Sequence, residues 1–186
     1  LVYILFIVGL SLTESKAQSL AVKSNLLYDA TTTMNLGLEL GLSRKWTLDV
    51  PVNYNPWKPA DGKRLRHWGV QPELRYWFCE RFNRTFIGVH AHYADFNVGG
   101  WPDWSFISEN MQKSRYQGYL YGGGVSVGHS WILRKRWSIE ASIGVGYARI
   151  EYEKYPCATC GTKLKDTGKN YLGPTKASLS LIYLIK

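Results

Sequence analysis

The feature that most constrains the fold of this chain is a period of two in its apolar residues. From Trp46 to Tyr54 every second residue is apolar, and the residues between them are Thr, Asp, Pro and Asn. Because successive side chains of a β-strand point to opposite faces, this pattern predicts a strand with one apolar face. Similar alternation recurs in residues 35–42, 68–79, 87–93, 118–128, 138–147 and 177–186, and less regularly in residues 20–30. The sequence therefore predicts an all-β fold with eight strands.

The connections between these strands alternate in length. Short and long connections occur in turn along the chain, in residues 43–45, 55–66, 80–84, 97–114, 133–136 and 152–170. Short turns at one end and long loops at the other are typical of barrels in bacterial outer membranes. We therefore expect an eight-stranded antiparallel up-and-down transmembrane β-barrel, in which the last strand pairs with the first.

The composition of the two strand faces indicates which face meets lipid. The polar face is rich in glycine, which would weaken water-exposed strands but leaves room inside a narrow barrel for side chains such as Trp77 and Phe86. The apolar face has aromatic residues at both ends, as lipid-facing strands do at the two membrane surfaces. These are Trp46, Phe78, Trp131 and Trp137 near the short turns, and Tyr28, Tyr54, Trp68, Tyr93, Tyr119 and Tyr147 near the long loops. We therefore expect the apolar face to meet lipid. The alternative is a soluble lipocalin-like barrel, in which the apolar face points inward.

The first residues indicate export. Residues 1–12 form an apolar run that is too short to cross a bilayer as a helix, which needs about 20 residues. A polar stretch with small residues follows, as in a signal-peptide cleavage site. We therefore expect residues 1–18 to be a signal peptide that lacks its first residues, and residues 19–186 to form the barrel. A retained membrane anchor is the alternative.

The segment "KSNLLYDATTTMNLGLELGL", residues 23–42, resembles an uncharacterised family of outer-membrane β-barrels that is common in Bacteroidota. The segment "GVQPELRYWF", residues 69–78, is similar to the central strand of that family. The matching residues in the first segment are Lys23, Asn25, Leu26, Leu27, Tyr28, Asp29, Asn35, Leu36, Gly37 and Glu39. The resemblance implies the outer membrane of a Gram-negative bacterium and a link with surface fimbriae or envelope assembly, but no established activity.

Charged and imidazole side chains fall on the polar face, which we predict to line the barrel interior. An eight-stranded barrel is just wide enough for side chains to fill it. Buried charges must be paired, since an unpaired one costs on the order of several kcal/mol. We therefore predict a paired polar network that fills the interior, with a proton path or a small pore as the alternative. Its residues are Lys23, Glu39, Asp49, Glu73, Arg75, His90, His92, Glu140 and Lys176.

No short motif in the sequence makes a catalytic or metal site. His90 and His92 share a strand face, but two imidazoles need further ligands to bind a metal ion. His129 and Ser130 are adjacent in a strand and point to opposite faces, so they cannot act as a base and a nucleophile. We therefore predict no catalytic residue, no metal and no cofactor. A lipid-modifying outer-membrane enzyme is the alternative.

The three cysteines fall at opposite ends of the predicted barrel. Cys79 precedes a short turn and points inward by its place in the alternation, whereas Cys157 and Cys160 lie in a long loop. The apolar band of a membrane barrel is about 25 Å tall, and the Cα atoms of a disulfide lie only about 4.4–6.8 Å apart. Cys157–Cys160 is therefore the possible disulfide, and Cys79 is predicted to be a free thiol.

The expected function is a structural or interaction role in the cell envelope. The net charge of +9 and the basic residues in the predicted loops suit contact with lipopolysaccharide phosphates. The other expected partners are outer-membrane lipid, the outer-membrane insertion machinery, and envelope or fimbrial proteins. Nucleic acid is not expected as a partner of an exported chain. A soluble secreted ligand-binding barrel is a further alternative.

Overall fold

The described part of the chain consists of strands and one short helix. The computed structural model describes residues 20–57, 64–99, 115–155 and 165–185. The elements are β1 (Leu20–Asn25), α1 (Leu26–Ala30), β2 (Met34–Gly41), β3 (Trp46–Asn55), β4 (Arg64–Val70), β5 (Glu73–Trp77), β6 (Arg84–Gly99), β7 (Arg115–Arg134), β8 (Trp137–Tyr155) and β9 (Lys165–Ile185). In these ranges no helix has the length and apolar character needed to cross a membrane. The expected signal peptide, Cys157 and Cys160 lie outside the described residues.

The nine strands form one antiparallel sheet that closes in a ring. β1 and β9 complete the ring, with Leu20 opposite Ile185 and Asn25 opposite Ser180. β4 and β5 both lie between β3 and β6, so they share one of eight positions. The predicted all-β antiparallel architecture is confirmed. We call the end with the β2–β3, β5–β6 and β7–β8 turns the turn end, and the opposite end the loop end.

The predicted strand over residues 68–79 is divided in two by Pro72. The Ala91 N–H donates to the Pro72 carbonyl oxygen at 3.0 Å, but proline has no N–H with which to return this hydrogen bond. The register nevertheless continues across the break. β3 pairs Val52 with Val70 on one side of it and Asp49 with Glu73 on the other.

Three expectations about the ends of elements are corrected. Residues 26–30 form α1 rather than a strand, because the Asn25 side chain caps the helix by accepting a hydrogen bond from the Leu27 N–H at 3.2 Å. The loops expected over 97–114 and 152–170 are shorter, because antiparallel pairing extends through polar residues to Gly99, Arg115, Tyr155 and Lys165. Cys79 is a free thiol, but it lies beyond the end of β5 and is exposed rather than directed inward.

The two faces of the ring differ in polarity. The inward face carries the buried charged residues, whereas the outward face carries exposed apolar side chains, including Leu38, Val52, Leu74, Val89, Val125, Ile143 and Leu179. Aromatic rings cluster on the outward face at both ends. At the turn end the ring centroids of Trp46 and Tyr76 are 5.2 Å apart. At the loop end those of Trp68 and Tyr93 are 5.6 Å apart.

Candidate functional site in the interior of the ring

An apolar layer fills the interior near the turn end. Trp77 and Phe86 are fully buried, with ring centroids 4.7 Å apart, and Phe82 lies 6.1 Å from Trp77. Phe82 also packs with the buried Ala21 and Ile182. Because Phe82 follows β5 in the turn to β6, this layer ties the turn to the interior of the ring.

A charge cluster lies next to this layer. It comprises Lys23, Glu39, Asp49, Glu73, Arg75, Glu140 and Lys176, all of which are buried. These seven residues come from six strands, β1, β2, β3, β5, β8 and β9. Strands on opposite sides of the ring therefore contribute, and the cluster spans the interior. Strand alternation places every one of these side chains inward.

Arg75 lies at the centre of the charge cluster and contacts four carboxylates. Its Nε lies 2.5 Å from Glu73 Oε2, and its Nη2 lies 2.5 Å from Asp49 Oδ2. Its Nη1 lies 2.9 Å from Glu39 Oε2 and 3.1 Å from Glu140 Oε1. A guanidinium has five N–H donors in a fixed plane, so it can join carboxylates that approach from several directions.

The two lysines complete the charge cluster. Lys23 Nζ lies 2.5 Å from Glu39 Oε2 and 3.1 Å from Glu140 Oε1. Lys176 Nζ lies 2.6 Å from Glu73 Oε2. Each carboxylate of the cluster thus has a cationic partner within the described residues. The paired charges offset the cost of removing each other from water.

Uncharged side chains extend the network, and two of them, Thr47 and Ser126, are not among the residues predicted from the sequence. The Thr47 hydroxyl donates to Glu39 Oε1 at 2.5 Å, and Trp77 Nε1 donates to Thr47 Oγ1 at 2.9 Å. The Ser126 hydroxyl donates to Glu73 Oε1. The sequence shows only that these residues alternate with the apolar outward face. Inward glycines, and inward serines that make no hydrogen bond, show the same pattern.

The two histidines lie apart from the salt bridges. His90 is buried, with its Nε2 2.9 Å from Thr175 Oγ1, and the His92 ring lies 5.8 Å from the His90 ring. Both rings occupy space that glycines on the neighbouring strand leave free. A Cβ on Gly124 would lie 3.0 Å from His90 Nε2, and a Cβ on Gly122 would lie 2.9 Å from His92 Nε2. Among the described residues, no three His, Cys, Asp or Glu side chains are grouped to hold a metal ion.

His129 and Ser130 point to opposite faces, as strand geometry requires. His129 Nδ1 lies 2.9 Å from Thr85 Oγ1 on the neighbouring strand. The Ser130 hydroxyl is buried on the inward face, without a hydrogen-bond partner in the described residues. The two residues therefore do not form a base and nucleophile pair.

A wide cavity lies at the loop end. It has a volume of about 850 Å³, and its lining includes the inward-facing Asn55, His67, Phe96 and Tyr152. A smaller cavity of about 80 Å³ lies beside Asp49, Arg75 and Lys176. Among the described residues, the interior thus holds a cavity at the loop end, and charged and then apolar side chains occupy it toward the turn end.

Comparison with known proteins places the chain in a family. It belongs to the family described as "Protein of unknown function (DUF3575)", whose sequence model matches residues 2–185. No curated protein matches the chain, and no solved structure matches it. The expected membership of an uncharacterised domain family is confirmed.

Proposed function

We propose that this member of the family is a transmembrane β-barrel in the outer membrane of a Gram-negative bacterium, with a structural or interaction role in the cell envelope. The observation that supports this proposal is the polarity of the ring, which is the inverse of that of a soluble protein. Glu39 and Glu73 have no exposed surface, whereas Val89 and Ile143 are 65% and 67% exposed. Such a ring is stable where its surroundings are apolar.

The size of the exposed apolar face argues against the soluble alternative. Monomeric soluble proteins rarely expose a contiguous apolar patch larger than about a few hundred Å². Exposed Leu, Val and Ile side chains follow the outward face of successive strands around this ring. Each such side chain gains about 1.5–3 kcal/mol when it is fully removed from water, so lipid contact stabilises the fold at many positions at once.

The spacing of the aromatic residues fits the thickness of a bilayer. Counting both ends, there are nine residues from Trp46 to Tyr54 in β3 and eleven from Trp137 to Tyr147 in β8. A tilted strand needs about 9–11 residues to cross a bilayer. At the loop end the apolar face ends in tyrosines: the Tyr93 hydroxyl donates to Asp95 Oδ1 at 3.2 Å. This change from apolar to charged side chains is expected at a membrane surface.

The filled interior supports a structural or interaction role over transport. The charge cluster and the apolar layer of Trp77, Phe82 and Phe86 occupy the ring between its two ends. We expect a planar bilayer that contains the folded protein to show no stable open channel. Persistent ion conductance by the purified protein would contradict this assignment.

Membrane location is tested by expressing the chain with a signal peptide in a Gram-negative host. We expect the protein in the outer-membrane fraction, and we expect unheated and boiled samples to migrate differently in a gel, because a closed barrel resists detergent until it is heated. Recovery in the soluble periplasmic fraction would contradict the proposal.

A pair of substitutions tests lipid contact directly. Ile143→Arg places a charge in the middle of the outward apolar face, and Gln117→Arg places the same charge at an exposed position beyond the tyrosines. An arginine that faces lipid near the bilayer centre costs about 2–4 kcal/mol, so we expect Ile143→Arg to reduce the heat-modifiable form and Gln117→Arg to leave it unchanged. In water both exposed positions would tolerate arginine. Equal yields of the two folded variants would therefore contradict membrane insertion.

A further inference from the structure

The turn end of the ring carries a concentrated positive charge. Six exposed basic side chains, which we call the basic collar, project from its three turns: Arg44, Lys45, Arg84, Arg134, Lys135 and Arg136. Glu80 is the acidic residue of these turns, and it lies 3.4 Å from the Arg44 guanidinium. The described residues of the loop end are mixed in charge, with Asp95 and Glu151 near Arg149. The collar therefore favours anions at one end of the molecule.

The basic collar lies at the same level as the aromatic residues of the turn end. The Arg136 guanidinium donates to the Tyr183 hydroxyl at 3.2 Å. Lys45 Nζ lies 5.8 Å from the centroid of the Tyr76 ring. Tyrosine and tryptophan mark the headgroup level of a membrane, so these contacts place positive charge where lipid phosphates lie.

A groove at this end combines basic and apolar surface. It has a volume of about 730 Å³, and its lining includes Arg44, Lys135 and Arg136 together with Ile132 and Ile185. Ile132 is 58% exposed and Ile185 is 39% exposed. A small anion would use only the basic side of this groove. A phospholipid in the surrounding leaflet would place its phosphate on the cations and the start of an acyl chain on Ile185, which lies on the same face of β9 as Tyr183.

We infer that the basic collar binds the phosphate headgroups of anionic phospholipids, such as phosphatidylglycerol, in the leaflet that surrounds the turn end. This inference rests on the proposed membrane location and adds a lipid preference to it. Because the collar side chains project from all three turns, they meet several headgroups in a plane rather than one compact ligand. Binding of this kind also fixes the height of the ring relative to the membrane surface.

The test uses the full mature protein, folded in neutral detergent micelles, and counts bound lipid by native mass spectrometry. We expect wild-type protein to bind phosphatidylglycerol more tightly than phosphatidylcholine, with the preference reduced in high salt because salt screens exposed charges. The variant Lys135→Gln with Arg136→Gln removes two groove-lining charges. We expect its affinity for phosphatidylglycerol to fall about 10- to 30-fold, since each basic residue near an anionic lipid surface contributes about a fivefold change.

A matched control keeps this test specific. Arg66→Gln with Lys169→Gln removes one arginine and one lysine that are exposed toward the loop end, and we expect it to lose clearly less phosphatidylglycerol affinity than the collar variant. Unchanged phosphatidylglycerol affinity in the collar variant, or an equal loss in the control, would overturn the inference. Equally tight binding of water-soluble glycerol 3-phosphate would also overturn it, since the acyl chain would then be irrelevant.

The outcomes separate this inference from the proposed function. Both variants are first examined for the gel mobility shift on boiling, which reports the folded barrel. A wild-type chain that fractionates as a soluble protein overturns the proposed function itself. A folded, membrane-located collar variant that keeps its phosphatidylglycerol preference overturns only the lipid assignment.

Discussion

Glu73 occupies a position where one carboxylate serves two buried cations. Its Oε2 lies 2.5 Å from Arg75 Nε and 2.6 Å from Lys176 Nζ. We predict that Glu73→Leu lowers the free energy of unfolding by about 3–5 kcal/mol, because removing one partner leaves a buried charge without compensation. The measurement is urea unfolding of the protein in lipid vesicles.

A double substitution distinguishes the lost ion pair from a packing defect. Lys176→Met in the Glu73→Leu background removes the cation that would be left unpaired. We expect the double variant to be more stable than the sum of the two single changes predicts, as is usual for residues in one network. Strictly additive losses would show that the Glu73–Lys176 contact carries no coupling energy.

Gly128 provides space for an aromatic ring in the interior. A Cβ at this position would lie 2.4 Å from Phe86 Cζ, closer than van der Waals contact allows. We predict that Gly128→Ala destabilises the protein by about 1–3 kcal/mol, the usual cost of overpacking a core. The midpoint of urea unfolding measures the loss. If Gly128→Ala left the unfolding midpoint unchanged, the ring of Phe86 would be able to move away from residue 128.

The smaller side chain in Phe86→Leu tests the same contact from the other side. We expect Gly128→Ala to cost less in the Phe86→Leu background than in the wild type, because the clash with the ring is removed. The same cost in both backgrounds would contradict the direct contact.

At the residue scale, the sequence predicts which face a side chain points to better than it predicts which residues that side chain contacts. Alternation alone directs Glu39 and Arg75 toward the interior, and the structure places both there. It does not predict that Arg75 contacts Glu140, which is 65 residues away. That contact depends on the registers of all strands between them, and period two is unchanged by shifting a strand by two residues. The hydrogen bonds of Thr47 and Ser126 to the cluster cannot be predicted, because no sequence pattern distinguishes these two residues from other uncharged inward residues.

Pro72 determines where the ladder between β4, β5 and β6 is interrupted. The Pro72 carbonyl accepts from the Ala91 N–H at 3.0 Å, and in such an antiparallel pair the return bond would come from the N–H of residue 72. We predict that Pro72→Val makes the strand continuous. The new amide should exchange with solvent as slowly as that of Ala91, which hydrogen exchange observed by NMR would measure.

The stability of the Pro72→Val variant should change little. A new hydrogen bond contributes about 0.5–1.5 kcal/mol, while loss of the rigid proline ring removes a stabilisation of about 0.4–1 kcal/mol. Rapid exchange at residue 72 would show that neighbouring residues, and not proline, cause the interruption.

At the element scale, the sequence predicts where the apolar face of each strand lies, but not where the strand ends. β7 and β8 continue in register to Arg115 opposite Tyr155, beyond the last apolar outward residues. Polar residues such as Gln117 and Glu153 are typical of loops. The polarity pattern therefore predicts loops where the structure has the ends of β7 and β8. Conversely, apolar residues suggested a strand over 26–30, where the Asn25 cap begins a helix.

The ring as a whole depends on the pairing of β1 with β9. Val22 lies opposite Tyr183 in this pairing, and paired Cα atoms lie about 4.5–5.5 Å apart, within the range for a disulfide. In a chain with its native cysteines replaced by serine, we predict that Val22→Cys with Tyr183→Cys oxidises within one molecule. Non-reducing electrophoresis would detect the faster-migrating cross-linked chain.

A second cysteine pair controls for collisions in the unfolded chain. Val22→Cys with Val125→Cys joins β1 to β7, strands that do not pair. We expect no intramolecular cross-link in the folded protein. Cross-linking of this pair, or its absence between residues 22 and 183, would contradict closure by these strands.

The β1–β9 pairing also fixes the order in which the molecule can fold. β7 and β8 are joined by a short turn, so their pairing is local in sequence. The pairing of β1 with β9 instead brings Leu20 opposite Ile185, at the other end of the chain. Bringing such distant segments together has an entropic cost of about 4–5 kcal/mol by the logarithmic scaling of loop closure. Until that step, β1 and β9 each present an unpaired edge that can join another chain. We therefore expect the exported chain to need protection from association with other chains until these two strands pair.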